Sequence, residues 1–267
     1  MVAAEADRSR FWHGPLDRAS RGRVDPSPLQ HRVPSELPSR LADSTRLLPT
    51  TPGPTCPTTQ RGEYRALGRQ RLAAHSKKAS DTQAHLVLID ETGLFLNPLI
   101  RRTWSAIGHT PILDADGGQR NKVSVIGGLS VSPTYRRLGF YFATEPNGFF
   151  TADKVVEFLR DLLKHLRGNV IVVWDNGGNH KGSIIREFLK KNRRLRLEVL
   201  PPWAPDYNPV EAVWSWLKYG ELANYTPENI PELDDTVVDR MIELKFDPEL
   251  LKALWNRSKL PFPKDSL

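Results

Sequence analysis

Hydrophobic and polar positions change pattern along the chain near residue 85. Up to residue 60 no apolar 3.6-residue period lasts longer than a turn. That stretch also holds 9 of the 22 prolines, including Pro49, Pro52, Pro54 and Pro57, which would break any helix that started. Residues 1–60 therefore read as a Pro/Arg-rich, disordered arm. Residues 61–84 read as a basic linker or short helix.

From His85 onward the periods are clear. LVLID (86–90) is an apolar run that predicts a buried strand ending at Asp90. KVSVIGGLSV (122–131) and RRLGFYFA (136–143), joined through Ser132-Pro133-Thr134, predict a hairpin. Thr151 reads as the N-cap of a helix with Val155, Leu159, Leu162, Leu163 and Leu166 on one face, stopped by Gly168 and Asn169. VIVVW (170–174) predicts a second buried strand delivering Asp175 at its end. A helix through Ile184, Ile185, Phe188 and Leu189 follows. It closes on Lys190, Lys191, Arg193 and Arg194, cations that suit a helix C-terminus. LRLEVL (195–200) is the next strand, and after a PPWAPDY loop a helix starts near Asn208-Pro209. Val210, Val213, Trp214 and Leu217 form its core stripe; Pro227 and Pro231 are expected to break the tail, with a terminal helix over 244–255. Antiparallel strands first and βα units afterward predict an α/β fold, a mixed sheet flanked by helices.

Composition narrows the setting. The 39% hydrophobic share suffices for a core, and Cys56 is the single cysteine, which excludes a disulfide framework or thiolate zinc site. No run approaches the roughly 18 apolar residues of a membrane helix, and no secretory h-region opens the chain. The expected location is cytoplasmic and nucleoid-associated. Residues 1–80 carry 14 Lys/Arg against 7 Asp/Glu, which gives the whole net charge of +7, while later charges cancel. A basic arm beside a neutral core suits a polyanion such as nucleic acid; a solvated arginine-rich tail would look the same.

Three acids stand where phosphoryl-transfer chemistry needs them. Two cations roughly 4 Å apart stabilise the attacking and leaving oxygens of an in-line displacement, and magnesium prefers carboxylate ligands. Asp90 and Asp175 end apolar runs, and Glu211 lies one turn into a later helix. Each also has a local reading. Asp90 could cap a turn and Asp175-Asn176-Gly177-Gly178 could be a turn. With Asn208 as N-cap and Pro209 first in the helix, Glu211 falls at the capping-box position.

Taken together, LIDETG (88–93), VVWDNGGNHKG (172–182) and LPPWAPDYNPVEAVWSWLK (200–218) resemble the catalytic blocks of the DDE transposases, in particular the bacterial insertion-sequence branch of the mariner superfamily. Asp175 and Glu211 are separated by 35 residues (211 − 175 − 1), as in that branch, and RRTWSAIGHTP (101–111) is similar to its segment after the first Asp. The resemblance covers residues 85–220. It implies a ribonuclease H-like fold in a catalytic domain at 85–222, with a C-terminal helical tail at 223–267. It implies two magnesium (or manganese) ions held by Asp90, Asp175 and Glu211, and DNA cleavage with strand transfer on transposon ends and target DNA. A homodimer on DNA is implied too.

Other residues carry lesser expectations. His180 could contact a phosphate or water, Asn176 and Asn208 could orient neighbouring groups, and Trp203 could stack on DNA. Lys218 shares a face with Glu211 and could meet a phosphate. Glu91, next to Asp90 on a strand, should point to the opposite face. Family members carry upstream helix-turn-helix units. Residues 1–60 show no paired amphipathic helices, so a separate helix-turn-helix polypeptide is expected, or else a truncated, inactive remnant that only binds DNA.

Overall fold

The computed structural model describes residues 74–75, 77–79, 81–113, 121–134, 137–175, 177, 182–200, 207–258 and 260. The expectations for 1–60, and most of those for 61–84, fall outside these residues.

Five strands form one sheet: β1 (Ala84–Phe95), β2 (Lys122–Val131), β3 (Leu138–Pro146), β4 (Asn169–Trp174) and β5 (Leu195–Val199), in the order β3-β2-β1-β4-β5. β1–β2 and β2–β3 pair antiparallel, and β1–β4 and β4–β5 pair parallel. The predicted hairpin is therefore β2–β3. The strand around LVLID does not stop at Asp90. It continues to Phe95, because residues 91–95 keep their ladder to β2 (Glu91↔Ile126 through Phe95↔Lys122) after the parallel ladder to β4 has ended at Leu88↔Val173. Asp90 thus lies where one neighbour ends and the other goes on.

Alternation along the strands sorts the core into two faces. On one, Val87, Ile89, Val170 and Val172 pack with Val155, Phe158, Leu159 and Leu162 of α1 (Ala152–His165) and with Ile185 and Phe188 of α2 (Ser183–Lys191). On the other, Leu86, Leu88, Ile171 and Val173 meet Val210, Val213 and Trp214 of α3 (Val210–Trp216). α4 (Ile230–Lys245) and α5 (Pro248–Arg257) complete that layer through Met241, Leu244 and the fully buried Trp255. The tail therefore holds two helices rather than one. Pro231 opens α4 instead of breaking it, since a first-turn position needs no N–H donor, and Asn229 caps it by accepting from the Glu232 N–H at 2.9 Å. Thr151 precedes α1 as expected but makes no side-chain cap bond. Arg194 serves a different helix end from the one expected. Its guanidinium donates to the carbonyls of Leu163, Leu166 (2.6 Å) and Gly168 (2.8 Å), closing α1 rather than α2.

Candidate active site

The parallel register of β1 and β4 is an offset of 85 residues, from Ala84↔Asn169 to Leu88↔Val173. Continued two residues past the ladder it sets Asp175 opposite Asp90 (175 − 85). Both acids share parity with the Leu88 and Val173 face, the face covered by α3. Glu91 has the parity of Val87 and Ile89 and so belongs to the α1 face, as expected.

α3 delivers the third carboxylate. It starts at Val210, one residue later than the sequence suggests, with Pro209 in the cap position and no side-chain cap bond there. Glu211 is accordingly the second helical residue, and the expected reciprocal capping box is absent. Asn208, almost fully buried at 4% exposure, acts differently from a simple cap. Its Oδ1 accepts from the Val210 N–H at 3.2 Å, while its Nδ2 donates to the Ile89 carbonyl at 3.3 Å. The residue before Glu211 and the residue before Asp90 are thereby tied to one side chain.

Trp214, one turn after Glu211, donates its indole N–H to Asp90 Oδ2 at 2.8 Å. The helical stripe marks it as core. It is buried, but its polar edge is aimed at the site.

The electrostatics agree with this grouping. Burial, then the Glu211 carboxylate, push the Asp90 carboxyl up to about 7; Asp175 adds in the same direction, against the Trp214 N–H and the Glu91 backbone N–H. Burial raises the Glu211 carboxyl, opposed by Lys218. Burial lowers the Lys218 ammonium, which Glu211 and Asp90 hold up. Lys218 is thus a half-buried cation beside two of the acids. It lies two turns after Glu211 on the same helical face, where α3 passes into a π-helical turn (Leu217–Glu221) closed by the Leu222 N–H on the Leu217 carbonyl at 2.8 Å.

Asp175 is exposed, and its Oδ1 accepts from the Gly177 N–H at 2.9 Å, the turn contact foreseen as its local reading. Among the described residues no three His, Cys, Asp or Glu side chains are arranged to enclose one ion. The donor set nonetheless fits a hard divalent cation. It offers only carboxylate oxygen, and their mutual repulsion, which lifts Asp90, is what a bound cation would relieve.

The structure thus brings Asp90, Glu211, Asn208 and Lys218 together, with Asp175 in register beside them. Asn176, His180 and Trp203 lie outside the described residues. Sequence reasoning missed Trp214 as a polar contact; its position three residues after Glu211 was the available signal. It also passed over Trp104, 92% exposed in the segment after β1 together with Ile100, Ile107 and Ile112. A cavity of about 280 Å³ adjoins the site, walled by Phe95, Leu99, Tyr219, Tyr225 and Lys218, but none of the three acids lines it.

A mixed five-stranded sheet in the order β3-β2-β1-β4-β5, with helices on both faces, is a ribonuclease H-like fold. The chain belongs to the DDE superfamily endonucleases, whose sequence profile matches residues 85–234, more than half its length. Solved complexes of the Mos1 mariner transposase share the fold. The Mos1 strand transfer complex superposes with a TM-score of 0.53 at 18% identity, covering 80% of this chain and 62% of that one. The paired-end complex with Mg gives 0.53 at 16% identity (81% and 65%), and that with Mn gives 0.52 at 17% (82% and 65%). This chain spans less than two thirds of each of those transposase chains, and at such identity the likeness concerns the fold alone. No curated protein matches the chain. No helix among the described residues is long and apolar enough to cross a membrane.

Proposed function

We propose that this chain is the catalytic core of a transposase that cleaves DNA and transfers strands, with Asp90, Asp175 and Glu211 as its cation-binding carboxylates. One observation carries the reading: Asp90, in register with Asp175, is charge-coupled to Glu211 and lifted to about 7 by burial and its acidic neighbours. Nothing in the packing requires acids on β1, after β4 and on α3 to stand near one another, and the repulsion is a cost that a cation would remove. Magnesium or manganese held there supplies charge neutralisation at the phosphate undergoing transfer. The remaining work falls to the protein. Asn208 fixes α3 against β1 so that Glu211 faces Asp90, and Lys218 offers its ammonium to a DNA phosphate beside the acids.

DNA is the substrate class, in line with the Mos1 paired-end and strand transfer complexes that share the fold. The exposed Ile100, Trp104, Ile107 and Ile112 give a homodimer on DNA an apolar contact.

The test is nicking of supercoiled plasmid by purified protein with Mg²⁺ or Mn²⁺. Cleavage should vanish in Asp90→Asn, Asp175→Asn and Glu211→Gln, with the circular dichroism spectrum retained. Undiminished nicking in those variants would overturn the assignment.

A second reading, a non-catalytic DNA-binding remnant, is favoured by the Asp175 carboxylate being turned onto its own loop. It predicts salt-dependent DNA binding with no metal-dependent nicking in the wild type.

A further inference from the structure

Residues 90, 127 and 214 interlock across three elements. Asp90 of β1 pairs directly with Gly127 of β2. The Trp214 ring lies over Gly127 so closely that a Cβ there would stand 2.7 Å from Cη2 and 3.1 Å from Cζ2. The same indole reaches its N–H to Asp90 Oδ2. A ring that crosses β2 at Gly127, the residue paired with Asp90, with its only donor spent on that carboxylate, is more than filler. A core tryptophan could have bonded a main-chain carbonyl.

We infer that Trp214 is a positioning residue for Asp90: its N–H fixes Oδ2, Gly127 provides the gap through which the ring passes, and the other carboxylate oxygen is left in one orientation for a cation. The inference rests on the cation-binding reading above and adds to it a residue that touches neither cation nor DNA. The physical ground is general. A freely rotating carboxylate must be ordered when it takes up an ion, whereas one already hydrogen-bonded by a rigid donor is not. Indole N–H is donor-only, so it can hold an acceptor oxygen and cannot itself compete for the cation. The spacing has a reason too. Trp214 is three residues after Glu211, nearly one helical turn, so the helix that presents one acid also orients the other.

The experiment measures Mn²⁺ binding to the DNA-free protein directly, by electron paramagnetic resonance of free Mn²⁺ and by calorimetry, without reference to turnover. Trp214→Phe keeps an aromatic ring and removes the donor; it should weaken Mn²⁺ binding about tenfold or more. Gly127→Ala, which displaces the ring, should weaken it in the same direction. The double variant should be little worse than the worse single one, because both changes remove one hydrogen bond. Where Trp214→Phe fails to fold, benzothienylalanine at position 214 keeps the ring shape without the N–H and serves instead.

Wild-type Mn²⁺ affinity in the folded variant would overturn the inference. Asp90→Asn separates this from failure of the underlying reading. If Asp90→Asn loses Mn²⁺ binding while Trp214→Phe keeps it, only the role of Trp214 falls. If neither affects binding, the carboxylate site itself falls.

Discussion

The Asn208 side chain donates to the Ile89 carbonyl at 3.3 Å and accepts from the Val210 N–H at 3.2 Å, and so links β1 to α3 one residue before each of two acids. The pairing spans 119 residues of sequence. It converts a contact between elements into a fixed spacing between Asp90 and Glu211.

Removing that link should cost both stability and function. Asn208→Ala leaves a buried carbonyl and a helix N–H without a partner, a loss of about 1–3 kcal/mol. Thermal unfolding should show it as a lower Tm, and Mn²⁺-dependent nicking should fall with it. Asn208→Asp keeps the acceptor, loses the donor and adds a negative charge, so it should melt lower still at pH 8. Wild-type melting of Asn208→Ala would show the bond to be incidental.

Asp90 ties stability to pH. Its folded carboxyl keeps its proton up to about 7, against an ordinary value of 3.8 in the unfolded chain. Between those values the folded state binds more protons, so stability falls as pH rises, and the loss is complete above pH 7. At about 1.4 kcal/mol per pH unit the total is on the order of 4 kcal/mol. Asp90→Asn, which cannot ionise, should therefore melt at least about 3 °C above the wild type at pH 8 without divalent cation, while at pH 4.5 the gap should largely close. Mg²⁺ should narrow the pH 8 gap by stabilising the wild type alone. A variant melting below the wild type at pH 8 would contradict the assigned charge repulsion.

Lys218 offers a check through salt. If its ammonium meets a phosphate, Lys218→Gln should flatten the plot of log affinity for DNA against log salt by about one unit. An unchanged slope would leave Lys218 only as the countercharge of Glu211 and Asp90.

Arg194 provides the contrasting case. Its bonds to three α1-end carbonyls lie at the opposite end of β4 from Asp175. Arg194→Ala should lower stability by about 1–3 kcal/mol through unpaired helix-end carbonyls, with Mn²⁺ affinity of the folded protein unchanged.

Much of this architecture was legible in the sequence. Continuous apolar runs marked β1 and β4 as buried strands and placed Asp175 at a strand end, and the two-residue period of a strand assigned Glu91 to the other side from Asp90, because side-chain direction along a strand is a local property. The stripe of Val210, Val213, Trp214 and Leu217 marked the buried side of α3 for the same local reason. Local pattern did not reveal that β1 runs on past Asp90. A strand's end is set by its neighbours, and β2 continues where β4 stops.

What the sequence determined by itself is which residues face inward and which acids accompany them, since periodicity encodes burial one element at a time. Only the tertiary structure decided what those residues meet: the 85-residue offset that aligns Asp175 with Asp90, the Trp214 N–H on a carboxylate 124 positions away, and the gap at Gly127. Each depends on how elements distant in the chain pack against one another, and no spacing within a single element carries that information.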